Sequence, residues 1–282
     1  MPSTMPNERS TTVDTARDYY NSEDADNFYA LIWGGEDIHI GLYEKPGEDI
    51  ATASRRTVEY LAEQLQPLPK QTRILDLGSG FGGAARYLAS EYGAQITALN
   101  LSEVENERHR QLNERAGLTD KIEVIDGNFE DIPCNDASFD VAWSQDALLH
   151  SGERDKVLRE VNRVLAPGGQ FIFTDPMQAD NCPKGVLQPI FDRIHLESLG
   201  SPSFYRASAD SLGWANLGYS DHTEQLANHY KRVLEETERV EADLLDKVST
   251  DYIKRMKKGL GHWVEGGRAG YLAWGVLHFR KT

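Results

Sequence analysis

Ile74-Leu75-Asp76-Leu77-Gly78-Ser79-Gly80-Phe81-Gly82-Gly83 is the stretch that decides the fold. An apolar run carrying a single acid ends in a burst of glycine, and Ala84-Ala85-Arg86-Tyr87-Leu88-Ala89 then reads as a helix. A strand that turns tightly into a helix presents free backbone N–H groups at the end of a parallel sheet, where a nucleotide-like ligand can sit. Gly78 and Gly80 allow positive φ and close approach of backbone to ligand. Gly78, Gly80 and Gly83 also satisfy the dinucleotide fingerprint, so spacing alone does not choose between NAD and another adenosyl cofactor.

Asp76 shifts that balance. A carboxylate at the mouth of a buried strand is costly unless it meets a partner. Asp76-x-Gly78-x-Gly80 resembles the first motif of the class I S-adenosylmethionine (SAM) methyltransferases. The resemblance implies that the loop, with Ser79, packs against the methionine end of SAM and that the acid acts close to it. A capping Asp beside turn glycines is the plainer alternative.

Thirty Lys and Arg against forty-five Asp and Glu give the 282-residue chain a net charge of −15. Such a surface repels phosphate backbones and anionic lipid, which argues against nucleic acid and membrane as partners. Two cysteines, Cys134 and Cys182, make neither a disulfide framework nor a metal site of their own. With no membrane-length apolar run and no signal-peptide core, a cytoplasmic location and no metal are expected. The chain could hold one large domain.

Residues 1–15 are expected to form a disordered tail and residues 16–282 a single domain. Aromatic residues crowd its start, from Tyr19, Tyr20, Phe28, Tyr29 and Trp33 to His39 and Tyr43. Rings of this kind either pack an N-terminal helix on the domain or bind cationic ammonium centres. An amphipathic helix over 49–65 completes an N-terminal helical lid, 16–68. Strands are expected at 73–77, 95–99, 121–125, 139–143 and 170–174, with helices at 83–92, 103–116 and 154–165 between them. That βαβα rhythm argues an α/β fold with a doubly wound, Rossmann-like, mostly parallel sheet.

The strand ends carry the candidate site. Asn100, followed by Leu101, stands where class I methyltransferases usually place an acid for the ribose hydroxyls; its amide can still accept one bond and donate another. Asn100 also counts against NAD, whose fingerprint wants an acid at about this distance. Asn128 and Phe129 resemble the segment along the adenine, Asn128 being equally readable as a turn residue. Gln145, Asp146 and His150 end the fourth strand, on the rim where doubly wound sheets place reacting groups. Leu165-Ala166-Pro167-Gly168-Gly169 resembles the superfamily turn into strand five, which ends at Thr174-Asp175-Pro176-Met177. Residues 176–214 are expected to form a substrate-side cap, with Gln188, Asp192, Arg193 and His195 on a short helix. Residues 223–245 read as a solvated helix, and the glycines of 262–270 as a turn into a final antiparallel hairpin.

A closer resemblance runs over nearly the whole chain. Trp33-Gly34-Gly35-Glu36-Asp37-Ile38-His39-Ile40-Gly41, Trp143-Ser144-Gln145-Asp146-Ala147-Leu148-Leu149-His150 and His262-Trp263-Val264-Glu265-Gly266-Gly267-Arg268-Ala269-Gly270 look like the sarcosine/dimethylglycine N-methyltransferases, which complete betaine synthesis. The resemblance implies in-line methyl transfer from SAM, giving S-adenosylhomocysteine (SAH), to a small amine acceptor whose carboxylate is held elsewhere. It implies a base at His150, assisted by Asp146 or a tyrosine such as Tyr20. Arg193 or Arg268 would take the carboxylate, with Met177 nearby. Tyr20, Tyr29 and Trp33 would close over the methionine end of the cofactor and the growing ammonium. Two alternatives stay open: another methyl acceptor such as phosphoethanolamine, or an NAD-dependent oxidoreductase or non-catalytic SAM-binding module. Oligomeric state is left open.

Overall fold

The computed structural model describes residues 11–194 and 196–282. Residues 1–10 of the expected tail, and His195, lie outside the described residues. Helix α1 (Thr11–Tyr20) begins inside the stretch expected to be disordered, and α2 (Glu23–Ile32) follows it after Ser22, whose Oγ caps Ala25 N–H. Helix α3 (Ile50–Gln64) has Asp49 as its N-cap.

The α/β unit then runs β1 (Arg73–Leu77), α4 (Gly83–Glu91), β2 (Gln95–Asn100), α5 (Glu103–Arg115), β3 (Ile122–Asp126), β4 (Phe139–Gln145), α6 (Arg154–Val164) and β5 (Leu165–Thr174). After it come β6 (Met177–Gln178), α7 (Gln188–Ile194), α8 (Pro202–Ser211), β7 (Ala215–Asp221), α9 (Thr223–Arg239), α10 (Glu241–Leu244), α11 (Thr250–Arg268), β8 (Leu272–Ala273) and β9 (Gly275–Arg280).

Seven strands make one sheet in the order β3-β2-β1-β4-β5-β9-β7, parallel through β5 and antiparallel at β9 and β7. The strand order reverses between β1 and β4. That is the switch point where the loops after the two strands part and leave a crevice. β1 is buried beyond Arg73, as a central parallel strand covered on both faces must be. Leu75 and Leu77 face a core shared with Val157 and Val161 of α6 and Tyr205 of α8. Ile74, with Ile96 and Trp143, faces Val58 and Leu61 of α3 and Leu88 of α4.

Three expectations need correction. The segment 262–270 is the C-terminal half of α11 as far as Arg268, not a glycine turn. β7 and β9 lie side by side, but they are joined through α9 to α11 and β8 rather than by a short hairpin loop. Helix α9 is not merely solvated, because Leu226, His229, Val233 and Thr237 are buried. A third core explains why. Phe28 and Ile32 of α2 pack with Val233 of α9 and with Tyr252, Met256 and Leu260 of α11. The N-terminal helices and the late helical insertion therefore meet each other beside the strand ends. Among the described residues no helix is long and apolar enough to cross a membrane.

Candidate active site: two cavities that share a wall

The tight approach of the two switch-point loops sets the site. Gly78 has φ +72°, and a Cβ there would lie 2.3 Å from the Ala147 Cβ, so the turn after β1 passes against the end of β4 only because Gly78 has no side chain. Beside this contact lies a first cavity lined by Asp76, Gly78, Ser79, Gly80, Asn100, Leu101, Asn128, Phe129 and Gln145, with Asp37 and Glu105. A second cavity is lined by Tyr19, Tyr29, Trp33, Arg193, His229, Tyr230, Met256 and Trp263. Tyr20, Ile38, His39, Asp146 and His150 line both.

The first cavity is rich in polar atoms that the protein itself leaves unspent. Asp76 Oδ2, Ser79 Oγ and Gln145 Nε2 are buried without a hydrogen-bond partner among the described residues. Burial, with Asp37 alongside, pushes the Asp76 carboxyl up to about 7. A strained acid of this kind fits a ligand carrying a positive charge. Asn100 Nδ2 donates to Glu105 Oε2 at 2.9 Å, so the strand-end amide is backed by a carboxyl from the first turn of α5. Burial raises the Glu105 carboxyl to about 7. Asn128 Oδ1 accepts the Glu130 N–H at 2.9 Å; its turn role is therefore realised and that oxygen is already engaged. The donors and acceptors present, and the glycine turn, fit SAM.

The second cavity is aromatic. Tyr20 and Tyr29 have ring centroids 5.9 Å apart, Tyr29 and Trp33 4.9 Å, and Tyr230 stacks on Trp263 at 5.1 Å. Tyr29 and Trp33 line this cavity and not the first. Among the described residues lining it, Asp146 is the one carboxylate and Arg193 the one guanidinium. Arg193 Nε is buried without a partner, Nη2 contacts Met256 Sδ, and no acidic side chain pairs with the group among the described residues. A half-buried guanidinium held this way can receive an anion.

The shared wall holds the titratable groups. The Tyr20 hydroxyl hydrogen-bonds His150 Nε2 at 2.8 Å, and burial lowers the His150 imidazolium to about 4, leaving the ring neutral at pH 7. Asp146 is not the partner of His150. Its Oδ2 accepts the Ile40 N–H at 2.7 Å and its Oδ1 the Trp274 Nε1–H at 2.8 Å, which pins the 38–40 segment to the end of β4. His39 was legible only as part of an aromatic cluster. Its Nδ1 lies 3.2 Å from the Ile40 carbonyl, its Nε2 has no partner among the described residues, and burial lowers it to about 4.

Two expected residues fall elsewhere. Arg268 is exposed in the last turn of α11 and lines neither cavity; Gly266 and Gly267 are the residues of that turn that pack inward, against Leu272 and Ala227. Met177 is fully buried in the β5–α6–α8 core, pairing with Ala273, and it is Pro176 that reaches the second cavity. Met177→Ala should cost about 2–5 kcal/mol in a denaturant melt and leave acceptor KM unchanged in the folded variant.

This sheet order, glycine turn and paired cavity define a class I, SAM-dependent methyltransferase, and a methyltransferase-domain family matches residues 75–173. The chain is 59% identical over 95% of its length to the sarcosine/dimethylglycine N-methyltransferase of Halorhodospira halochloris, covering 96% of that protein. It is 53% identical to that of Aphanothece halophytica, over 94% of this chain and 96% of the relative. A crystal structure from Galdieria sulphuraria, of a candidate sarcosine dimethylglycine methyltransferase, superposes with TM-score 0.89 at 45% identity, over 94% of this chain and 99% of that one. The chain belongs to the sarcosine/dimethylglycine N-methyltransferase family. The NAD-dependent oxidoreductase reading of the glycine fingerprint falls with that assignment.

Proposed function

We propose that the chain transfers methyl groups from SAM to the nitrogen of sarcosine and then of dimethylglycine, ending at betaine. The carrying observation is the pair of cavities meeting at Tyr20, His39 and His150, one with an orphaned acid and a glycine cradle, the other with rings and one guanidinium that has no acidic partner among the described residues. The names of the relatives support the choice of acceptor.

When bound, SAM supplies an electrophilic methyl on a sulfonium. Asp76 would hold the ammonium of its methionine end, with Ser79 and Gln145 offering their unspent groups. Asn100 Oδ1 and Glu105 would take the ribose, and Leu101 and Phe129 would flank the adenine. Arg193 would hold the acceptor's carboxylate, and the Tyr20–Tyr29–Trp33 wall would bear the methylated nitrogen, which becomes a fixed cation. His150, neutral and bonded to Tyr20, would accept the N–H proton that the acceptor gives up before its lone pair can attack, and His39 Nε2 offers a second acceptor at the same wall. Exclusion of water would fall to α1 and α2 as a lid. Polar contacts latch them over the site: Asn21 Nδ2 donates to Glu103 Oε2 at 2.8 Å and Ser102 Oγ to Asn21 Oδ1 at 2.8 Å. The cap of 176–214 would reach the acceptor through Pro176 and α7, with α9 and α11 completing the wall. Unpaired Cys134 and Cys182 support work in a reducing cytoplasm.

One cation suits a carboxylate better than a phosphomonoester dianion, which favours these acceptors over phosphoethanolamine. Glycine should be the poorer acceptor, since each unfilled methyl-sized space forfeits ~0.8 kcal/mol of apolar burial. Calorimetry on the SAH-loaded protein tests the choice. Dimethylglycine should bind and phosphoethanolamine should not; binding of the phosphate compound alone would overturn it.

Asp76 makes the cofactor step pH-dependent. Its carboxyl is up at about 7 in the free protein, and a bound cation would favour the ionised form, so binding expels a proton at and below that pH. SAH affinity should therefore rise with pH through 7 and level off above it. Asp76→Asn should weaken SAH at least about ten-fold at pH 8 and reduce the slope near 7, to which Glu105 also contributes. Titrations in buffers of different ionisation enthalpy read both effects, and an unaltered pH profile in the variant would exclude Asp76 from the cofactor site.

A further inference from the structure

Glycine in the interior of a helix destabilises it relative to alanine, so a buried mid-helix glycine calls for a cause. Gly259 sits in the middle of α11 and is buried. A Cβ built on it would stand 2.0 Å from Arg193 Nε, 2.3 Å from its Cδ and 2.9 Å from its Cζ. All three nearest atoms belong to that one side chain. One turn face away, a Cβ on Gly261 would meet nothing within 4 Å. The helix itself therefore does not demand glycine at 259; the arginine lying across it does.

We propose that Gly259 is a positioning residue for acceptor specificity: its missing side chain is the saddle over which Arg193 reaches the acceptor cavity. The inference rests on Arg193 being the carboxylate holder. Arg193 stands in the wall between the acceptor cavity and an open vestibule bounded by Tyr252, Lys258 and His262. Its Nη2 touches Met256 Sδ, and its Nε, the atom lying over Gly259, has no partner among the described residues. A methyl group at 259 would occupy the space of the arginine stem. The clash is with a flexible side chain and not with backbone, so the helix survives and the arginine is what moves. Room to shift exists on both the vestibule side and the acceptor side, and a shift either way takes the guanidinium off its place in the acceptor cavity wall. Fold and cofactor site stay intact while the anion site is lost.

Steady-state kinetics with dimethylglycine, beside SAH calorimetry, test this on Gly259→Ala, Gly261→Ala, Arg193→Met and the double variant Gly259→Ala/Arg193→Met. Gly259→Ala should raise acceptor KM about ten-fold or more, with kcat far less affected and SAH affinity unchanged. Gly261→Ala should leave KM as it is and raise the melting temperature. In the Arg193→Met background, Gly259→Ala should add nothing, because there is no guanidinium left to displace. An unchanged KM in Gly259→Ala would overturn the inference, as would an equal further loss in the Arg193→Met background, the mark of a general structural effect. An unchanged KM in Arg193→Met would instead overturn the assignment of Arg193 on which the inference stands.

Discussion

His150→Ala should lower kcat on sarcosine by on the order of 10²-fold while SAH affinity stays near that of the unaltered protein. His150 lies on the wall common to both cavities, bonded through Nε2 to the Tyr20 hydroxyl. Its imidazolium is lowered to about 4 by burial, so the ring is neutral across the neutral and alkaline range, though a weaker base than a free imidazole. The pH profile of kcat should accordingly show no inflection near the ordinary imidazole value of about 6.5 that the variant removes. If His150 accepts the acceptor's proton, the deficit of the variant narrows as pH rises toward the acceptor's own ammonium pKa, because a free amine no longer needs it. A deficit independent of pH would assign His150 to positioning. No loss on either acceptor would remove it from the site.

Arg193→Met carries the second large effect. The guanidinium has no acidic partner among the described residues, and its Nε is buried and unspent. Removing it would leave the carboxylate of a bound acceptor in an aromatic cavity without a counter-charge. Breaking a buried pair in this way costs about 3–5 kcal/mol, against ~1.5–3 kcal/mol for a charge-assisted hydrogen bond alone. Acceptor KM should rise at least about 10²-fold, with SAH affinity unchanged. Arg193→Lys should fall between the two, because an ammonium does not reproduce the bidentate fork. A KM that stays put in both variants would show that the carboxylate binds elsewhere.

The parts of this site legible in the sequence are those that local chemistry determines. Asp76 and Gly78 to Gly80 announce a strand, a tight turn and a ligand at once, and His150 follows from its place at the end of a central strand. The parts that were not legible depend on tertiary packing. Glycines 266 and 267 argue against a helix by propensity, yet α11 runs through them, because Cβ atoms there would come within 3.1 Å of Leu272 and Ala227. Close packing against α9 and β8 decides that segment. Arg268 and Arg193 look alike in sequence, and only the face of α11 on which the first falls sends it into solvent. Glu105 reads as one more acid at the start of a charged helix, while the register of α5 against β2 turns it inward to 4% exposure. His39 lies outside regular structure, where no periodicity says which way a side chain faces.

The identity of the methylated product tests the central claim most directly. Purified protein supplied with SAM, and in turn with glycine, sarcosine, dimethylglycine and phosphoethanolamine, can be followed by mass spectrometry of the acceptor. Dimethylglycine formed from sarcosine and betaine formed from dimethylglycine, with glycine slower and phosphoethanolamine unchanged, is the expected result. Methylated phosphoethanolamine, with neither dimethylglycine nor betaine formed, would contradict it.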